Sequence, residues 1–102
     1  MQIEVLHIDE CPNWEAAGDR VKEALAQLGK TATVEFRLLS TPEEAARVPF
    51  AGSPTITADG EDLFPSDGGT PDLACRIYFT PDGVAGLPTV EQLSQAIGHH
   101  ER

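Results

Sequence analysis

Basic residues, cysteines and long apolar runs are all scarce in this chain. Lysine and arginine together number 7 against 17 aspartates and glutamates, a formal net charge of -10. Such a balance repels phosphate backbones and anionic headgroups, so nucleic acid and membrane surfaces are poor partners. No apolar run approaches the ~18 residues that a membrane-spanning helix requires. The first ten residues lack a basic start and carry acids at Glu4, Asp9 and Glu10. No secretory leader is read there, and a cytoplasmic location is expected. Two cysteines, Cys11 and Cys75, are too few for a disulfide scaffold or a structural zinc site. In a reducing compartment such cysteines are either inert core residues or working thiols. No phosphate-cradling glycine loop, serine triad or metal-ligand cluster is visible, so no cofactor and no metal are expected.

What is present is an ordinary globular composition, 40% hydrophobic and 24% charged over 102 residues. That length fits one domain, residues 1–102, with a core of its own. Residues 2–8 mix Ile3, Val5, Leu6 and Ile8 with little polar interruption and predict a central strand covered on both faces. Cys11-Pro12-Asn13 breaks that strand. Trp14, Ala17, Val21, Leu25 and Leu28 then recur at spacings of three and four, predicting an amphipathic helix that stops at Gly29. Residues 32–39 predict a second strand, with Val34, Phe36 and Leu38 on one face. The βαβ unit implies parallel pairing. Thr41-Pro42-Glu43-Glu44 opens a short helix limited by Pro49. Thr55–Ala58 and Glu61–Phe64 predict a hairpin around Asp59-Gly60. Residues 65–75 read as a loop, Arg76–Thr80 as β-like, and Pro81-Asp82-Gly83 as a turn. Thr89-Val90-Glu91-Gln92 forms a second capping box before a last helix, which Gly98 is expected to end, leaving His99 and His100 as a solvated tail.

Two motifs, Cys11-Pro12-Asn13-Trp14 at the first strand–helix junction and Gly52-Ser53-Pro54-Thr55-Ile56 before the third strand, resemble the thioredoxin/glutaredoxin superfamily. The resemblance covers residues 1–64 and the final helix; residues 65–88 are an elaboration. It implies a thioredoxin-like α/β three-layer sandwich with a four-stranded mixed sheet in the order 2-1-3-4 and an extra hairpin before the last helix. It also implies a cis Ser53–Pro54 bond facing Cys11, with Ser53 and Thr55 offering pairing groups to an extended chain or a small thiol. Together with Ala74-Cys75-Arg76-Ile77-Tyr78, the pattern is similar to small bacterial thioredoxin-like proteins with a Cys-Pro-x-Trp motif, some of which carry the name alkylmercury lyase.

The activity implied is thiol–disulfide exchange with Cys11 as nucleophile, on a disulfide-containing protein or a low-molecular-weight thiol. A cysteine at a helix start gains thiolate character from the helix end, which Asp9 and Glu10 oppose. Trp14 stands where the superfamily normally has a second cysteine, so no local disulfide forms. Cys75 is then either a core residue or a distant partner. The hairpin returns the chain to the Cys11 end of the sheet, which places the 65–75 loop within reach. Pro12, Trp14, Ser53, Pro54, Thr55 and Arg76 are the candidate substrate-binding residues. Trp14 also fits the apolar stripe, and Arg76 also fits a solvated surface charge. His7 reads as a possible base or as a structural strand histidine. Gly68-Gly69-Thr70-Pro71-Asp72 faintly resembles a glutathione-holding loop, although turn chemistry explains its glycines. The alternative to exchange is a non-catalytic binding module for a peptide, a small thiol or a soft metal ion.

Overall fold

The apolar run at the start of the chain forms β1 (Gln2–His7) in the middle of a four-stranded sheet. The computed structural model describes residues 1–9, 11–65 and 74–100. After β1 come α1 (Trp14–Leu28), β2 (Thr33–Leu38), α2 (Pro42–Ala46), β3 (Thr55–Ala58) and β4 (Glu61–Asp62). The chain closes with β5 (Tyr78–Thr80), β6 (Gly83–Ala85) and α3 (Val90–His100). The sheet order is β2-β1-β3-β4, with β1 parallel to β2 and antiparallel to β3. Strands β5 and β6 make a separate two-stranded hairpin. The architecture is mixed α/β with three helices among the described residues.

Successive side chains of β1 point to opposite faces, so one strand feeds two apolar clusters. Ile3 and Val5 lie opposite Ala58 and Ile56 of β3. They pack with Val21 and Leu25 of α1 and with Leu93 and Ile97 of α3. Leu6 points the other way and joins Ile8, Cys11, Leu39, Phe50 and Ala45 of α2. Each fully buried branched side chain in these clusters contributes roughly 1.5–3 kcal/mol of transfer free energy. β2 is an edge strand, and Phe36 and Leu38 stay well exposed on it.

The turn and cap signals act as the residue types require. Asp59 and Gly60 both take positive φ, 51° and 86°, as a two-residue type I′ hairpin demands. The Thr41 hydroxyl accepts the Glu44 N–H at 3.2 Å. The Thr89 hydroxyl accepts the Gln92 N–H at 3.1 Å, while the Gln92 side chain accepts the Thr89 N–H at 2.9 Å. This is a reciprocal capping box.

Several boundaries differ from expectation. β4 ends at Asp62 rather than Phe64, because the Asp62 side chain accepts the Phe64 N–H at 2.9 Å and turns the chain out of the ladder. The regular strand expected from Arg76 begins at Tyr78. α3 runs through Gly98 to His100. Its end is held by His100 Nε2, 3.2 Å from Asp59 Oδ2 in the β3–β4 turn. His100 is therefore half-buried against that turn, and only His99 is exposed.

Candidate functional site

The end of β1 and the start of β3 meet at Ser53. Its hydroxyl accepts the Ile8 N–H at 3.1 Å, which joins the two strand ends beyond the regular ladder. The Ser53–Pro54 peptide bond is cis. The Thr55 hydroxyl donates to the Gly52 carbonyl and accepts the Ala51 N–H, locking the approach to that bond. Gly52, Ser53, Pro54 and Thr55 are all buried.

A second segment of the chain lies against Ser53. The Ser53 N–H donates to the Ala74 carbonyl and the Arg76 N–H donates to the Ser53 carbonyl, both at 2.8 Å. Ser53 and Cys75 thus form an isolated parallel bridge. The approach is close because residue 52 is glycine. A Cβ there would meet Arg76 Cα and Cβ at 2.8 Å, and the Gly52 φ of +108° disfavours any side chain. The bridge brings Cys75 to Cys11, and the two form a disulfide with Cα atoms 6.1 Å apart. That separation lies within the range the bond requires.

Arg76 is 8% exposed, which overturns the reading of it as a solvated charge. Its guanidinium meets Asp62 at 3.0 Å, donates to the Phe64 carbonyl, and lies 4.7 Å from the centre of the Tyr78 ring. A buried cation needs such partners, since desolvation alone would cost several kcal/mol. Burial is the largest influence on the Asp62 carboxyl and raises its pKa, against the lowering effects of the Phe64 N–H and the Arg76 charge. The Tyr78 hydroxyl donates to the Pro54 carbonyl, and burial pushes its pKa well above the ordinary value. Asp62 and Tyr78 are site-building residues: the motifs omit Asp62, and they include Tyr78 without giving it a role. The β-like run from Arg76 to Thr80 signals the extended segment but not its partners.

The remaining candidates separate. Trp14 is half-buried and stacks on His7 with ring centres 4.5 Å apart, and it meets Phe36 edge-on at 5.3 Å. It also packs against the α1–α3 core, as its stripe position predicts. His7 is buried within this aromatic group. Burial lowers its pKa, opposed by the Ile8 backbone and the Asp9 charge. Pro12 is exposed beside Cys11. Gly68, Gly69, Thr70, Pro71 and Asp72 lie outside the described residues. Among the described residues, no three His, Cys, Asp or Glu side chains converge as a metal site would require. None of the described helices is long and apolar enough to cross a membrane.

The arrangement holds one sulfur–sulfur bond at a position set by backbone pairing. No family model matches the chain, and no curated protein or solved structure matches it significantly.

Proposed function

We propose that the chain is a thioredoxin-like thiol–disulfide exchange protein whose Cys11–Cys75 pair cycles between disulfide and dithiol. The observation that carries this reading is the disulfide beside the paired Ser53 backbone and the cis bond that follows it. Cys11 stands two residues before the N-cap Asn13 of α1. There a thiolate gains from the helix end and loses from the apolar cluster of Leu6, Ile8 and Phe50. Its role is nucleophilic attack on a mixed disulfide, with the displaced thiol leaving in reduced form. The partners are a disulfide-bearing protein or a low-molecular-weight thiol. In a reducing cytoplasm, where we place the chain, such a bond is transient and serves chemistry better than scaffolding.

One observation favours the non-catalytic alternative. The groups expected to receive a substrate are already engaged, Ser53 with residues 74 and 76 and Thr55 with Gly52 and Ala51. Equilibration of the purified protein in glutathione redox buffers separates the two readings. Reversible two-electron titration, together with catalysis of disulfide reduction in a model substrate, is the expected result. A pair that stays oxidised throughout the buffer range, with no turnover, would leave a cross-linked binding module.

A further inference from the structure

The two cysteines are not equally exposed to a molecule arriving from solvent. Cys11 is 0% exposed and packed among Leu6, Ile8, Leu39 and Phe50. Cys75 is exposed and lines an open cleft of about 490 Å³ together with Phe64, Pro65 and Phe79. The difference is built into the register of the segment. From residue 75 to residue 79, Cys75, Ile77 and Phe79 are exposed while Arg76 and Tyr78 are buried. Arg76 is anchored on Asp62, and Tyr78 on the Pro54 carbonyl. Sliding the segment by one residue would bury Cys75 and expose the Arg76–Asp62 pair, so the anchors hold Cys75 outward.

We propose that Cys75 is the sulfur at which outside thiols and disulfides enter, and that Cys11 is the inner sulfur that closes the cycle. This rests on the exchange reading above and assigns the direction of attack within it. In the reducing direction, an outside thiol loses its proton and attacks Sγ of Cys75. The new bond joins the outside sulfur to Cys75, and the Cys75–Cys11 bond breaks. Its electron pair leaves on Cys11, which takes up a proton. A second outside thiol then attacks the outside sulfur of the mixed disulfide and displaces Cys75 as a thiol. Two thiols are oxidised to one disulfide, and the protein disulfide is reduced to two thiols. In the oxidising direction, the Cys75 thiolate attacks an outside disulfide and releases one thiol. Cys11 then attacks Sγ of Cys75 and releases the other. The helix-start cysteine thus closes the cycle that the exposed cysteine opens.

The test is competitive alkylation of the reduced wild-type protein with substoichiometric N-ethylmaleimide, read by peptide mass. Cys75 is expected to be labelled at least about tenfold faster than Cys11, with the rates converging in guanidinium. As a second measurement, reduced Cys11→Ser should form a mixed disulfide with hydroxyethyl disulfide far faster than reduced Cys75→Ser. Equal labelling, or Cys11 labelled first in the folded protein, overturns the assignment and leaves the exchange reading standing. A protein that never loses two hydrogens in mass on mild oxidation overturns both.

Discussion

Reducing the Cys11–Cys75 bond is expected to lower stability by about 4 kcal/mol while leaving the chain folded. The bond joins residues 64 apart in sequence. The chain-entropy relation for a closed loop of that length gives about 14–15 cal/mol/K, or ~4 kcal/mol at 25 °C. Residual structure in the unfolded chain reduces this figure rather than increasing it. The native segment does not depend on the bond alone. Ser53 still pairs with residues 74 and 76, and Arg76 and Tyr78 still hold Asp62 and Pro54. The assay is paired urea unfolding of the oxidised and dithiothreitol-reduced protein, followed by far-ultraviolet circular dichroism. The reduced form should show an earlier midpoint and a larger m-value, because its unfolded state is less compact. A Cys11→Ala/Cys75→Ala double variant should match the reduced form and ignore reductant. A difference below about 1 kcal/mol, or a reductant effect that persists in the double variant, would refute the reasoning.

Gly52→Ala should cost at least about 2 kcal/mol, combining the positive φ with the contact against Arg76, and should slow reoxidation of the pair; urea unfolding and thiol quantification check both. Asp62→Ala should destabilise by about 3 kcal/mol, since it takes away the acceptors that hold the buried Arg76 guanidinium; thermal unfolding with an Asp62→Ala/Arg76→Met double variant, which should recover much of the loss, checks it. The folded state holds the Asp62 proton to higher pH than the unfolded chain does, so its contribution to stability is full below the ordinary value of 3.8 and falls as pH rises through the raised folded value. Unfolding free energies across that window should flatten in Asp62→Asn. Tyr78→Phe leaves the Pro54 carbonyl without its donor and should cost about 1–2 kcal/mol, measured by urea unfolding. Thr89→Ala removes one arm of the reciprocal cap and should cost about 1 kcal/mol, visible as a lower Tm.

The elements were legible wherever local chemistry decides them. The apolar run of β1, the three-and-four spacing of α1, the Asp59-Gly60 turn and the two threonine caps each act within a few residues. The pairing of β1 with β2 followed from the βαβ unit and that of β3 with β4 from the Asp59-Gly60 turn, while the place of β3 beside β1 rested on the family resemblance. Sequence reasoning failed where distant partners decide. Gly98 reads as a helix stop, but the contact between His100 and Asp59 carries α3 past it. Arg76 reads as a surface charge because nothing nearby in sequence marks Asp62 as its partner, 14 residues away. Within the site, the topology put Cys75 within reach of Cys11, yet the backbone pairing of Ser53 with residues 74 and 76 carried no sequence signal. A parallel bridge of single residues has no period to read.

The disulfide also changes what a cut in the chain means. With Cys11 and Cys75 joined, any single peptide bond broken between residues 12 and 74 leaves both products on one covalent body. The nicked chain keeps its mass apart from one added water, and α1, β2, α2 and β3 all stay tethered to the closing helix. Separation of the pieces then needs a thiol as well as a protease. Loss of either piece after a single cut is thereby tied to reduction of that bond. The same digest run with and without reductant on a denaturing gel would show two fragments in one lane and an intact band in the other.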